Sequence, residues 1–274
     1  MNREGLGASA TERAFVAHVV GRDLLGHCAR LLHGAGIPAL PLKGIWLQLE
    51  VYERPEQRVI TDVDLLVPDA CYRRAQALLL RNGFDINYEL QSECTLSHAR
   101  WPLPLDLHRR LFTRGAFRLP TSAVFERATL VDGAHTGPLW MPDPLDGFAH
   151  VVGHFVKSRG EAFQAPRDLC EIARAKGLRP ERVAQHLTYC GMGRAARLAL
   201  DWAMREGYGP FPAEVLGALP PDPMGSALAR FCRPLLQWER LPRRLSQLPG
   251  FALEANLARG FAVALLRSLE VRKE

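Results

Sequence analysis

Arg58-Val59-Ile60-Thr61-Asp62-Val63-Asp64-Leu65-Leu66-Val67 is a short apolar run carrying two acids, and it reads as a buried strand. Side chains alternate along a strand. Asp62 and Asp64 are therefore predicted to share one face, roughly 6.6 Å apart at about 3.3 Å per residue, while Thr61, Val63, Leu65 and Val67 turn the other way. Two like charges on one face of an apolar strand are costly unless a cation lies between them. Hard divalent ions take carboxylate oxygens, and Mg²⁺ is commonly held by one or two carboxylates together with substrate phosphates. D-x-D strings also arise by chance, so the neighbours decide how this one is read.

Upstream, Leu40-Pro41-Leu42-Lys43-Gly44 reads as a short strand ending in a cation and a glycine, and Ile45 to Glu50 has helical character. Gly44 then falls at a strand-to-helix junction. There, free backbone N–H groups and the positive helix end favour an anion, and a missing Cβ would let a phosphate approach. Lys43 could add a point charge, or its aliphatic stem could cover Trp46. Downstream, Leu103-Pro104-Leu105-Asp106-Leu107-His108 alternates again, placing Asp106 and His108 on one face and three leucines on the other. His108 could touch a metal, a phosphate or an acceptor, or hydrogen-bond the sheet. Arg109 and Arg110 read either as surface cations or as a phosphate contact.

Leu42-Lys43-Gly44, Arg58, Asp62-Val63-Asp64-Leu65-Leu66-Val67 and Asp106-Leu107-His108 together resemble the uncharacterised nucleotidyltransferase family of the polymerase-beta-like nucleotidyltransferase superfamily. The resemblance covers roughly residues 35 to 110. It implies an α+β fold: a small mixed β-sheet nucleotidyltransferase core, with a helical lobe after it. It also implies that the glycine turn and the D-x-D hold a nucleoside triphosphate and metal ions, with a third acid from a neighbouring strand. The superfamily's usual turn is Gly-Ser or Gly-Gly, and Lys43-Gly44 departs from it.

The rest of the chain bounds these readings. With 47% apolar and 23% charged residues, the 274-residue chain has an ordinary globular composition. Of its net charge of +6, a surplus of five falls in residues 141–274. That surplus could attract an anionic substrate or be a solvated surface, and no basic cluster interleaved with aromatics suggests nucleic acid. Cysteines 28, 71, 94, 170, 190 and 232 lack C-x-x-C spacing and read as free thiols of a reducing compartment. No signal peptide and no run of about 18 apolar residues is visible, so a cytoplasmic protein is expected. G-x-G-x-x-A matches at Gly5 and Gly191 lack a preceding strand and are not dinucleotide sites.

Two regions are predicted, a core over 1–140 and a helical domain over 141–274 that binds the acceptor. Residues 1–10 read as a tail. A scaffold helix over Thr11 to His33 should bury Val16, Val19, Val20, Leu24, Cys28 and Leu31 and end at Gly34/Gly36. Asp69 should cap a helix ending at Asn82, strands should follow over Phe84 to Tyr88 and Cys94 to His98, and Pro104 suggests an edge or a strand start. Asp143 and Pro144 open a helix in which His150 and His154 stack four apart; Pro166 opens another with Asp168 in its first turn. Further helices are expected over about 180–190, 193–206, 224–239 and 252–271, with Pro210 to Pro223 an irregular connector.

The function expected from these readings is transfer of a nucleoside monophosphate from a triphosphate, with ATP the expected one, to a hydroxyl or phosphate of an unidentified acceptor. Asp62, Asp64 and Asp106 would hold Mg²⁺ or Mn²⁺, and Lys43, Gly44, Arg58 and His108 would contact the nucleotide. Two other readings stand: a binding module without turnover, and a protein-modifying partner of a toxin-like protein. Asp64→Asn is expected to abolish transfer at little cost in stability.

Overall fold

The computed structural model describes residues 9–113, 115–158, 164–223 and 227. The tail with its Gly5 motif, apart from its last two residues, Cys232 and the helices expected over 224–239 and 252–271 lie outside or almost wholly outside these residues. The chain divides into two compact units. One comprises Met1–Arg110 with Phe125–Pro142; the other comprises Leu111–Val124 with Asp143–Glu274.

In the first unit, helix α1 (Ala10–Gly34) opens with a capping box: the Ser9 side chain accepts from the Glu12 N–H, and Glu12 accepts from the Ser9 N–H. Strand β1 (Leu40–Pro41) leads into helix α2 (Lys43–Glu50), and a 3₁₀ turn (Pro55–Gln57) precedes strand β2 (Val63–Leu66). Helix α3 (Tyr72–Arg81) is followed by strands β3 (Phe84–Glu89), β4 (Glu93–His98) and β5 (Trp101–His108). The five strands form one mixed sheet in the order β1-β2-β5-β4-β3, with β2 and β5 parallel and the other pairs antiparallel. After helix α4 (Thr121–Arg127), β6 (Thr129–Gly133) and β7 (Gly137–Met141) make a hairpin.

The core lies on one side of the sheet. Leu24, Leu25, Cys28 and Leu32 of α1 and Ala75 and Leu79 of α3 pack with Val63, Leu65, Leu105, Leu107 and Leu96. Burying one such leucine contributes about 2 kcal/mol. The lower half of α1 departs from its expected stripe: Val16 and Val19 are half exposed, and Ala14, His18 and Gly21 are buried instead. The cause is close packing. A Cβ on Gly21 would stand 2.7 Å from Ile60 Cδ1, and His18 Nδ1 pairs with Gln48 Oε1 at 3.0 Å.

Asp69 does not cap α3. It opens a short 3₁₀ turn whose cap position is Pro68, and its carboxylate is held by Arg109 and by Arg110 Nη2 at 2.7 Å. Both arginines are thereby tied within the fold. Pro104 lies in β5, a strand flanked on both sides, yet β2 reaches β5 only from Leu105 onward, and the β4 register breaks between Leu96 and His98. Pro102 and Pro104 therefore occupy the stretch where a missing N–H removes no ladder bond.

In the second unit, α5 (Pro144–Lys157) starts where expected, with Asp143 Oδ1 accepting from the Leu145 N–H. Helices α6 (Ala165–Ala175), α7 (Pro180–Tyr189) and α8 (Gly193–Arg205) follow, and Gly191, at φ 69°, makes the turn between α7 and α8. The expected connector over Pro210 to Pro223 holds a helix, α9 (Phe211–Ala218). Pro212 stands at the start of that helix, where its missing N–H is one of the groups a helix leaves unpaired anyway.

Candidate active site

Three strands assemble the site by register. Asp64 of β2 stands opposite Asp106 of β5, and Leu66 opposite His108. Thr95 of β4 stands opposite Asp106, and Glu93 opposite His108. Paired residues share a face. One polar row therefore reads Asp64, Asp106, Thr95, and the next holds His108 and Glu93. The reverse face carries Val63, Leu65, Leu105, Leu107, Cys94 and Leu96, all buried. Strict alternation is what lets acids project from an otherwise apolar sheet.

The turn into α2 is tied to the same strand, since the Leu42 N–H donates to the Asp64 C=O at 3.0 Å. Among the described residues no side chain caps the α2 N-terminus. Lys43 adopts φ 47°, and among the described residues no other non-glycine has positive φ. Holding an L-residue there costs about 1–2 kcal/mol. Lys43 Nζ lies 2.5 Å from Asp64 Oδ1, and His108 Nε2 reaches the same oxygen at 2.8 Å. His108 Nδ1 lies 3.0 Å from Glu93 Oε2, and Thr95 Oγ1 donates to Asp106 Oδ1 at 2.6 Å.

Charge is distributed unevenly over these groups. Burial disfavours ionised Asp64, but the Lys43 and His108 charges and bonds outweigh it and hold the carboxyl well below the usual carboxylate range. Burial also works against charge on Lys43 and on His108. For Lys43 the Asp64, Asp62 and Glu93 carboxylates prevail, and for His108 the bonds to Asp64 and Glu93 do, so both are pushed up. At Asp62, burial and then the neighbouring charge of Asp64 push the carboxyl up to about 6. Burial first and the Asp64 charge second disfavour ionised Asp62, and a cation beside it would favour the ionised form.

Ligand atoms of Asp64, Asp106 and His108 all lie within 4.8 Å of one another. Asp62, expected on the strand beside Asp64, lies one residue before β2 begins and outside this trio, half-buried and within electrostatic reach of Asp64 and Asp106. Arg58 Nη1 donates to the Val59 C=O at 2.6 Å. Gly44 is buried, and the space beside it is taken by protein: a Cβ there would stand 2.6 Å from Ile60 Cγ2 and 3.8 Å from Arg58 Nη1. Its lack of a side chain thus serves packing of the segment that leads into Asp62. Gln48 pins that segment from α2, its Nε2 donating to the Arg58 C=O at 2.6 Å and the Pro55 C=O at 3.2 Å.

Sequence reasoning missed Glu93, Thr95 and Gln48. The first two had a signal, since Glu93, Thr95 and Ser97 alternate with Cys94 and Leu96; Gln48 had none. In the helical unit, His150 and Asp168 are buried, and the His150 and His154 rings lie 6.4 Å apart. An unforeseen pair joins His186 Nε2 to Asp146 Oδ1 at 2.9 Å.

Among solved structures, the chain is similar to the antibiotic-resistance factor ANT(2'')-Ia, at 14% identity and TM-score 0.41, covering 68% of this chain and 95% of that one. It is also similar to an antigenic nucleotidyltransferase-like protein from Paracoccidioides brasiliensis, at 13% identity and TM-score 0.44, covering 73% of this chain and 93% of that one. No curated protein matches it. Residues 9–204, which hold every residue of the cluster, match the model of the uncharacterised nucleotidyltransferases, and the chain belongs to that family: it is a nucleotidyltransferase.

Proposed function

We propose that the protein transfers a nucleoside monophosphate from a nucleoside triphosphate, ATP in the first instance, to a hydroxyl of a small-molecule, peptide or protein acceptor. The observation that carries this reading is the facing of Asp64 and Asp106 on parallel strands, with His108 in the same cluster and Asp62 one residue before the strand. The donor set suits a hard divalent ion, being mostly carboxylate oxygen. Asp62, Asp64 and Asp106 would hold Mg²⁺ or Mn²⁺, which when bound stabilises the attacking and leaving oxygens together.

The chain's own residues supply the rest. The acceptor oxygen bonds to the α-phosphorus, the bridging bond to the β-phosphate breaks, and pyrophosphate leaves with that electron pair. Asp106, oriented by Thr95, takes the acceptor proton. The uncapped N-terminus of α2, Lys43 and Arg58 offer positive charge to the β- and γ-phosphates. His108, held by Glu93, fixes the Asp64 carboxylate. Acceptor recognition is assigned to the helical unit, because phosphate and cation chemistry already accounts for the first unit's polar cluster. The free thiols of Cys28, Cys71, Cys94, Cys170 and Cys190 suit a reducing, cytoplasmic setting.

The test is incubation with α-labelled ATP and Mg²⁺ across a panel of small molecules, peptides and proteins. Label transfer with pyrophosphate release is expected, lost with EDTA and in Asp106→Asn. Absence of metal-dependent pyrophosphate release with all four triphosphates would sink the reading.

A further inference from the structure

We propose that Lys43 is a built-in counter-ion of the acidic cluster, seated on Asp64 while no divalent ion is bound and leaving it when one arrives together with nucleotide. The inference rests on the nucleotidyl-transfer reading and deepens it by naming how the site is kept and loaded. Three observations support it. Lys43 Nζ touches Asp64 Oδ1, the carboxylate whose ligand atoms lie within 4.8 Å of those of Asp106 and His108, and the Asp64 side chain is 2% exposed. Two cations cannot share so small a space without strong repulsion. The lysine occupies a backbone position at φ 47° that glycine would fill without strain, so the side chain is kept at a conformational cost. Four carboxylates surround the site, those of Asp62, Asp64, Asp106 and Glu93, and the ammonium is drawn by three of them.

The consequence is a coupling between the two ligands. An ion arriving alone must displace the ammonium from a nearly dry carboxylate, which weakens its binding. With a triphosphate present, the displaced ammonium swings on its flexible four-carbon stem to a phosphate oxygen instead of remaining unpaired. Ion and nucleotide then bind better together than apart.

The experiment is a Mn²⁺ titration followed by electron paramagnetic resonance, with and without a non-hydrolysable ATP analogue, on wild type, Lys43→Met and Lys43→Gly. Without nucleotide, both variants are expected to bind Mn²⁺ at least about fivefold more tightly than wild type, and to lose most of the further gain that nucleotide gives wild type. In EDTA both should melt below wild type, and Mn²⁺ should raise their melting temperatures more than it raises that of wild type. Lys43→Gly separates charge from strain: if it melts above wild type in EDTA, strain relief dominates and the counter-ion role is overturned. Equal or weaker Mn²⁺ affinity in both variants would overturn the inference while leaving the transfer reading intact. Absence of Mn²⁺ binding by all three proteins, even with nucleotide, would overturn both.

Discussion

Asp64 is at once the best-buried acid of the site and the partner of both Lys43 and His108, and this changes what its removal should do. From the D-x-D string alone, losing one charge from a repelling cluster should be nearly harmless to folding. With Lys43 and His108 both bonded to Oδ1, Asp64→Asn instead leaves a partly buried ammonium without its main partner. Breaking a buried pair this way should destabilise the protein by about 3 kcal/mol, in addition to removing transfer, as urea unfolding in EDTA would show. Gly44 makes a second residue-scale case. Gly44→Ala forces a Cβ to 2.6 Å from Ile60 Cγ2 and should cost about 1–3 kcal/mol by overpacking. In a double-mutant cycle with Ile60→Ala the two changes should couple favourably, because the second removes the atom the first collides with; additive losses would mean that the glycine is needed for another reason. At this scale the sequence put Asp106 and His108 on one face of their strand, and the pairing of β2 with β5 sets Asp64 opposite Asp106, because parity along a strand is a rule of backbone geometry. The sequence did not disclose which groups grip them, because Glu93 and Lys43 meet Asp64 and His108 only after strands distant in sequence have paired.

Elements were legible where punctuation was strong: Asp143 with Pro144 and the Gly191 turn stand where local chemistry puts them, whereas the Ser9 cap falls in the stretch that reads as a tail. The β6–β7 hairpin was missed because its first strand is exposed along most of its length and shows no apolar alternation, and α9 because prolines at a helix start look like prolines in a loop. The face of α1 was misread in its first half because packing against Ile60 and Gln48, not hydropathy, selects Gly21 and His18 for burial. Val16→Thr should accordingly change stability by less than about 0.5 kcal/mol, whereas Leu24→Ala should cost about 2–5 kcal/mol, both read from unfolding midpoints. Between α5 and α7, burial disfavours the charged His186 ring, but its bond to Asp146 prevails, and the ring's pKa is pushed up to about 9. A raised pKa contributes stability that is complete below the unfolded value of about 6.5 and is lost as pH rises through about 9. Asp146→Asn should flatten that part of the stability-versus-pH curve, and an unchanged slope between pH values of about 6 and 9.5 would remove the pair from the account.

At the scale of the whole molecule, every group assigned to nucleotide or ion, from Lys43 through His108, belongs to the unit of Met1–Arg110 and Phe125–Pro142. The sequence placed the change of character close to Met141, and the structure adds that Leu111–Val124 belongs with the helices. That exchange could not be read, because a short segment following a strand carries no mark of the elements it will pack with; Phe112, whose ring lies 5.7 Å from that of His150, is one such case. Among the described residues no helix is long and apolar enough to cross a membrane. The division carries the last prediction. A ligand that binds only the folded state stabilises it by about 2.7 kcal/mol at a hundred times its dissociation constant, and it does so through the backbone that it holds. Hydrogen exchange with Mg²⁺ and a non-hydrolysable ATP analogue should therefore slow first in peptides covering Leu42–Glu50, Arg58–Leu66 and Leu105–His108. In α7 and α8 it should slow only when an acceptor is added. Protection confined to the helices on adding nucleotide alone would show that the triphosphate site lies elsewhere than the cluster around Asp64.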